Sequence, residues 1–125
     1  MEKKKVLMVD DEVSFLQMAK MNLEETQQYE VLTLSSAKNI IETVHAFNPD
    51  IIVLDLIMPS LGGLEACQML NTDPQGKRIP IIILSALGKE ADKLKAYKLG
   101  IVDYLVKPIT SEELIAAITK CLRYK

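Results

Sequence analysis

Short apolar runs alternate with longer amphipathic segments along the whole chain. The runs at residues 6–9, 29–34, 51–54, 81–84 and 104–106 are short and mostly β-branched or aliphatic, which predicts strands of the kind buried in a parallel sheet. Between them, Ile40, Ile41, Val44 and Phe47 recur at helical spacing, as do Leu114, Ile115, Ile118, Cys121 and Leu122. Thr110 and Glu113 stand at capping-box separation and mark the start of the last helix. No internal repeat, low-complexity stretch or linker interrupts the pattern. Strands alternating with helices predict an α/β fold, a parallel sheet with helices on both faces, because each crossover helix must bury its apolar stripe.

The polar residues that break this pattern fall at particular places. The first run ends in Asp10, Asp11 and Glu12, three acids that repel one another unless a cation or a basic side chain lies beside them. Asp55 ends the third run, Ser85 the fourth and Lys107 the fifth. All of these are carboxyl ends, which in an open parallel sheet share one rim, and ligands bind there where the strand order reverses. If the order is 2-1-3-4-5, the reversal brings Asp10, Asp11 and Asp55 together. Three carboxylates at one point call for a divalent cation, and all-oxygen ligation favours magnesium over zinc. A carboxylate nucleophile, a cation, an ammonium and a hydroxyl donor meet the needs of phosphoryl transfer, with an acyl phosphate on Asp55 as product.

Each residue alone has a plainer reading. Asp10 and Asp11 would suit a helix N-terminus, although one acid suffices there. Asp55 alone reads as a turn residue before Pro59, Lys107 as a surface lysine and Ser85 as a loop hydroxyl. Tyr104 reads as strand packing and His45 as solvated helix surface with no acid at ligand spacing. Met18, Met21, Met58 and Met69 read as filling for core or loops. The joint placement at four strand ends carries the functional reading.

Composition narrows the classes further. At 125 residues, 49% hydrophobic and 26% charged, the chain has the size and make-up of one globular domain. A net charge of -2 offers no basic face for nucleic acid, and Lys3, Lys4 and Lys5 read as a solvated terminus. No run is long enough to span a membrane and no leader pattern is present, so no membrane insertion and a cytoplasmic location are expected. Cys67 and Cys121 lie in helical patterns without metal-ligand spacing and are expected to be reduced thiols. A dinucleotide-binding enzyme would need a glycine-rich turn where Asp10, Asp11 and Glu12 stand. A dehalogenase-type phosphohydrolase would separate its two aspartates by one residue, whereas Asp10 and Asp11 are adjacent.

The segments VLMVDDE (6–12), IIVLDLIMPSLGGLE (51–65), IPIIILSA (79–86) and YLVKP (104–108), in this order and spacing, resemble the receiver domain of the two-component response regulators. The resemblance implies a flavodoxin-like, doubly wound five-stranded sheet with five helices, one receiver domain over residues 1–125. Its strand order, 2-1-3-4-5, is that of the family's chemotaxis regulator, a standard example of the arrangement. It also implies a phosphorylation-controlled switch in which Asp55 takes a phosphoryl group from the phosphohistidine of a histidine kinase or phosphotransfer protein. By the same resemblance Asp11 binds magnesium directly, Asp10 through water, and Ile57 through its backbone carbonyl. Ser85 and Lys107 contact the phosphoryl oxygens, Tyr104 turns inward on activation, and a surface formed by helix four, strand five and helix five responds. The Lys107–Pro108 peptide is expected to be cis. Ile57 and Leu87 occupy the positions that tune the lifetime of the acyl phosphate. The implied partners include an output domain or protein, a linker to which would begin near Lys125, and a phosphorylation-dependent second copy, with no direct nucleic-acid binding. The receiver would catalyse its own phosphotransfer and slow dephosphorylation without acting on a separate metabolite. A receiver that works as an interaction module without phosphorylation is the alternative, although such modules usually lack an acid or the lysine. Departures from the family pattern are Gly62, Ile101 with Val102, and Ile109.

Overall fold

A computed structural model describes residues 2–58, 61–86, 88 and 90–123. Its elements are β1 (Lys4–Val9), α1 (Val13–Glu25), β2 (Tyr29–Leu34), α2 (Ile40–Phe47), β3 (Ile51–Asp55), α3 (Gly63–Thr72), a 3-10 turn (Gly76–Arg78), β4 (Ile81–Ser85), α4 (Glu90–Lys98), β5 (Asp103–Val106) and α5 (Ser111–Arg123). The strands form one parallel sheet in the order β2-β1-β3-β4-β5, the expected arrangement. Two strands end one residue later than the apolar pattern suggested. Asp55 and Ser85 are the last residues of β3 and β4, so both are held by the ladder.

Side chains alternate across the sheet, as the period of two requires. Leu7, Val9, Ile52, Leu54, Ile81 and Ile83 pack on one face with Ile40, Val44, Ala66, Cys67, Leu70 and Ala96 of α2, α3 and α4. Val6, Met8, Ile51, Val53, Ile82 and Leu84 pack on the other with Leu16, Ala19, Leu23, Leu114, Ala117 and Ile118 of α1 and α5. The three central strands are thus buried on both sides. β2 and β5 are edges and only partly buried, so the expectation of fully buried strands fails for them.

The capping box forms as expected. The Glu113 amide donates to Thr110 Oγ1 at 3.1 Å and the Thr110 amide donates to Glu113 Oε1 at 3.0 Å. Asn22 of α1 donates to Ser111 Oγ of α5 at 2.6 Å, joining the two helices of that face. Cys67 and Cys121 are free thiols, and burial pushes Cys67 up to about 12. Two expectations need correction. Met58 is buried, but Met18, Met21 and Met69 are exposed, because they point away from the sheet on α1 and α3. His45 is half exposed yet not simply solvated, since its Nε2 lies 2.8 Å from Asp73 Oδ1. Asp73 stands 28 residues away in sequence, a distance that helical spacing does not report.

Candidate functional site

The sheet register builds the site. Val9 of β1 pairs with Leu54 of β3, so the next residues, Asp10 and Asp55, emerge side by side where the order reverses. The Asp10 amide donates to Leu34 O at 3.0 Å, fixing that strand end from the other side. β4 places Ser85 beside Val106, and the Lys107 amide donates to Ser85 O at 2.8 Å, which extends the ladder to the lysine. The Lys107–Pro108 peptide is cis, as expected.

Asp10, Asp55 and Ser85 are buried, at 2%, 6% and 0% exposure, while Asp11 is exposed. Buried carboxylates persist only with compensating charge or hydrogen bonds. Lys107 supplies the charge. Its Nζ lies 2.8 Å from Asp10 Oδ2, 2.7 Å from Glu12 Oε1 and 3.8 Å from Asp55 Oδ2. Burial opposes its charge, but the hydrogen bonds to Asp10 and Glu12 outweigh that and hold its pKa above the ordinary lysine value. The Ile57 amide donates to Asp55 Oδ1 at 3.3 Å, and the Glu12 amide to Asp10 Oδ1 at 2.9 Å. Asp55 is nonetheless pushed up to about 6, first by burial and then by the neighbouring Asp10 charge, with Lys107 and the Ile57 amide pulling the other way.

Asp10, Asp11 and Asp55 each offer a carboxylate oxygen, and these lie within 4.8 Å of one another. Hard oxygen donors so placed fit a small divalent cation such as magnesium. The rim is open. A cavity of about 490 Å³ lies instead at the opposite end of the sheet, lined by Lys77, Arg78, Asp103, Lys120 and Cys121 among others.

The structure brings Asp10, Asp11, Asp55 and Lys107 together, with Ser85 at the end of the adjacent strand. Ile57 is 55% exposed beside Asp55, and Leu87 lies outside the described residues. Tyr104 lies on β5. It is already buried, at 7% exposure, with the Lys93 ammonium 6.0 Å from its ring. Glu12 was given no part beyond its charge, although the run of three acids with one distant lysine was a signal for it.

The fold and this rim define a doubly wound α/β protein with a carboxylate cluster at its switch point. Residues 6–119 match the response regulator receiver domain, and the chain belongs to that family. It is 40% identical over 121 residues, 97% of this chain and 46% of the other, to a probable transcriptional regulator ycf27 of Guillardia theta. It is 38% identical over 120 residues, 96% of this chain and 49% of the other, to the alkaline phosphatase synthesis transcriptional regulatory protein PhoP of Bacillus subtilis (strain 168). The chain thus spans about half the length of the curated relatives it matches. Among solved structures, the Francisella response regulator 1452 receiver domain has a TM-score of 0.88 at 32% identity, covering 98% of each chain. The chemotaxis protein CheY4 of Vibrio cholerae has a TM-score of 0.89 at 28% identity, covering 95% of this chain and 98% of the other. Among the described residues, no helix is long and apolar enough to cross a membrane.

Proposed function

We propose that the chain is a phosphorylation-controlled switch of a two-component system, with Asp55 as phosphoacceptor. The observation that carries this reading is the clustering of Asp10, Asp11 and Asp55 within 4.8 Å, with the Lys107 ammonium 3.8 Å from Asp55 Oδ2. An oxygen of Asp55 forms a bond to phosphorus as the phosphorus–nitrogen bond of a partner's phosphohistidine breaks, the electron pair passing to the ring nitrogen. Lys107 and the Ser85 hydroxyl stabilise charge on the phosphoryl oxygens. Asp10, Asp11, Asp55 and the Ile57 backbone carbonyl would hold magnesium, which would supply charge neutralisation at the phosphoryl group when bound. The change on phosphorylation falls to Ser85, to Tyr104, which is 7% exposed, and to the surface of α4, β5 and α5, where Leu94, Tyr97 and Val106 are exposed. The relatives' greater length supports an output domain beyond this one. A phosphorylation-independent interaction module is not favoured, because the acids and the lysine are all present.

Proton and cation compete at Asp55. Its folded-state value of about 6 exceeds the ordinary 3.8, so its contribution to stability is fully present below about pH 3.8 and is lost as the pH rises through about 6. The loss is on the order of 3 kcal/mol, or roughly 10–15 °C of Tm. Magnesium is expected to restore much of this at pH 7.5 and little at pH 5. Thermal melts with and without magnesium check it; equal stabilisation at both pH values would contradict the assignment.

Phosphoryl lifetime is the next expectation. Loss requires water in line with the phosphorus–oxygen bond, and a side-chain amide or carboxylate nearby can orient it. Ile57 and Leu87 cannot. The phosphorylated state is expected to be long-lived for the family, suited to slow output such as transcription more than to motility control. Ile57→Asn and Leu87→Glu should each speed loss by about tenfold, or about 1.4 kcal/mol of barrier. Decay of the purified phosphoprotein in magnesium measures this, and loss within seconds from the unmodified protein would refute it.

A further inference from the structure

Lys107 receives two contacts from the first turn of α1. Glu12 Oε1 lies 2.7 Å from its Nζ, and the Phe15 ring centroid lies 5.1 Å from the same atom. Residues three apart share one side of a helical turn, so the pair brackets the ammonium with a carboxylate and a π face. Glu12 is itself fixed, because its amide donates to Asp10 Oδ1 at 2.9 Å and its carbonyl accepts from the Leu16 amide at 3.1 Å. Neither Glu12 nor Phe15 belongs to the carboxylate cluster.

An ammonium has three donors. Asp10 and Glu12 accept from Lys107 at 2.8 and 2.7 Å, while Asp55 Oδ2 at 3.8 Å is within ion-pair reach but beyond a hydrogen bond. Among the described residues two donors are thereby committed, and the third stands toward the acceptor side, within ion-pair reach of Asp55. Asp10 is an insecure anchor, since it also faces Asp11 and Asp55 in the cluster, and any cation there shares its charge. Glu12 stands outside that competition.

We propose that Glu12 and Phe15 form a cradle that aims Lys107 at Asp55, which makes both of them positioning residues for phosphotransfer. The inference rests on Asp55 being the acceptor. Without the cradle, the flexible four-carbon stem of Lys107 sweeps a wider range, and fewer encounters find the ammonium in place.

The test uses Glu12→Gln and Phe15→Leu, each alone and combined with Lys107→Ala. The first readout is the initial rate of Asp55 phosphorylation by phosphoramidate in saturating magnesium. Each single variant is expected to lower the rate by about three- to tenfold, as befits partly exposed contacts, and to cause no further loss once Lys107 is alanine. The second readout is the NMR signal of the Lys107 ε-methylene in metal-free protein, which should shift in both variants and lose its ring-current contribution in Phe15→Leu. Rates unchanged or raised in the single variants would overturn the cradle, as would equal losses in the Lys107→Ala background. Failure of the unmodified protein to accept a phosphoryl group would instead sink the function proposed above, and the aiming role with it.

Discussion

Asp55→Asn is expected to stay folded and to take up no phosphoryl group, a loss of at least about a thousandfold for a removed nucleophile. The substitution keeps the side chain's size and an oxygen for the Ile57 amide, which now donates to Asp55 Oδ1 at 3.3 Å. It removes the anion that must attack phosphorus and replaces a buried, charge-crowded carboxylate by a neutral amide, so stability at pH 7 should rise if it changes at all. Intact-mass measurement after treatment with a cognate kinase or phosphoramidate decides the matter. An adduct that persists in Asp55→Asn, or that forms equally well in the unmodified protein with magnesium chelated, would remove Asp55 from its role. Amide shifts in the phosphorylated protein should concentrate in α4, β5 and α5; changes confined to α2 would count against the proposed output surface.

Gly63→Ala is expected to be the most damaging small substitution near the site, costing about 2–4 kcal/mol. A Cβ at Gly63 would stand 2.6 Å from Leu56 Cα and nearer still to the Asp55 carbonyl oxygen. The contact is with backbone on both sides, so no side-chain rotation relieves it. The Gly63 amide donates to Leu56 O at 2.8 Å, which pins the start of α3 against the chain leaving β3. Overpacking there must either push α3 outward or displace the strand end that carries the acceptor. Gly62→Ala is the control, because its Cβ would meet nothing nearer than 3.6 Å. Chemical denaturation of both variants measures the difference, and equal stabilities would show that α3 yields without cost.

The two halves of the problem were not equally legible in the amino-acid pattern. The strands and the acids at their ends were visible because burial on both faces of the central strands leaves unbroken aliphatic runs, and their breaks are conspicuous. The strand order came from resemblance, since periodicity marks strands without ordering them. Asp10, Asp11, Asp55 and Lys107 followed from that order. The partner of Glu12 did not, because the three-acid run calls for some positive charge without saying which, and the 2.7 Å approach to Lys107 is a tertiary contact. The His45 and Asp73 pair was hidden for a similar reason: it joins α2 to the turn after α3, and that contact is tertiary. Tyr104 was placed on the right strand, but no local pattern says whether a strand tyrosine stands in or out.

The way Lys107 is shared has one more consequence. Among the described residues, four carboxylates, Asp10, Asp11, Glu12 and Asp55, face one ammonium, that of Lys107, at this rim, an excess of three negative charges when all are ionised. A phosphoryl donor is also an anion, and a loose one approaches against that field. If Asp55 is the acceptor, that field would slow a free anion such as phosphoramidate until a bound cation offsets it, and would favour a phosphoryl group that arrives with positive charge of its own.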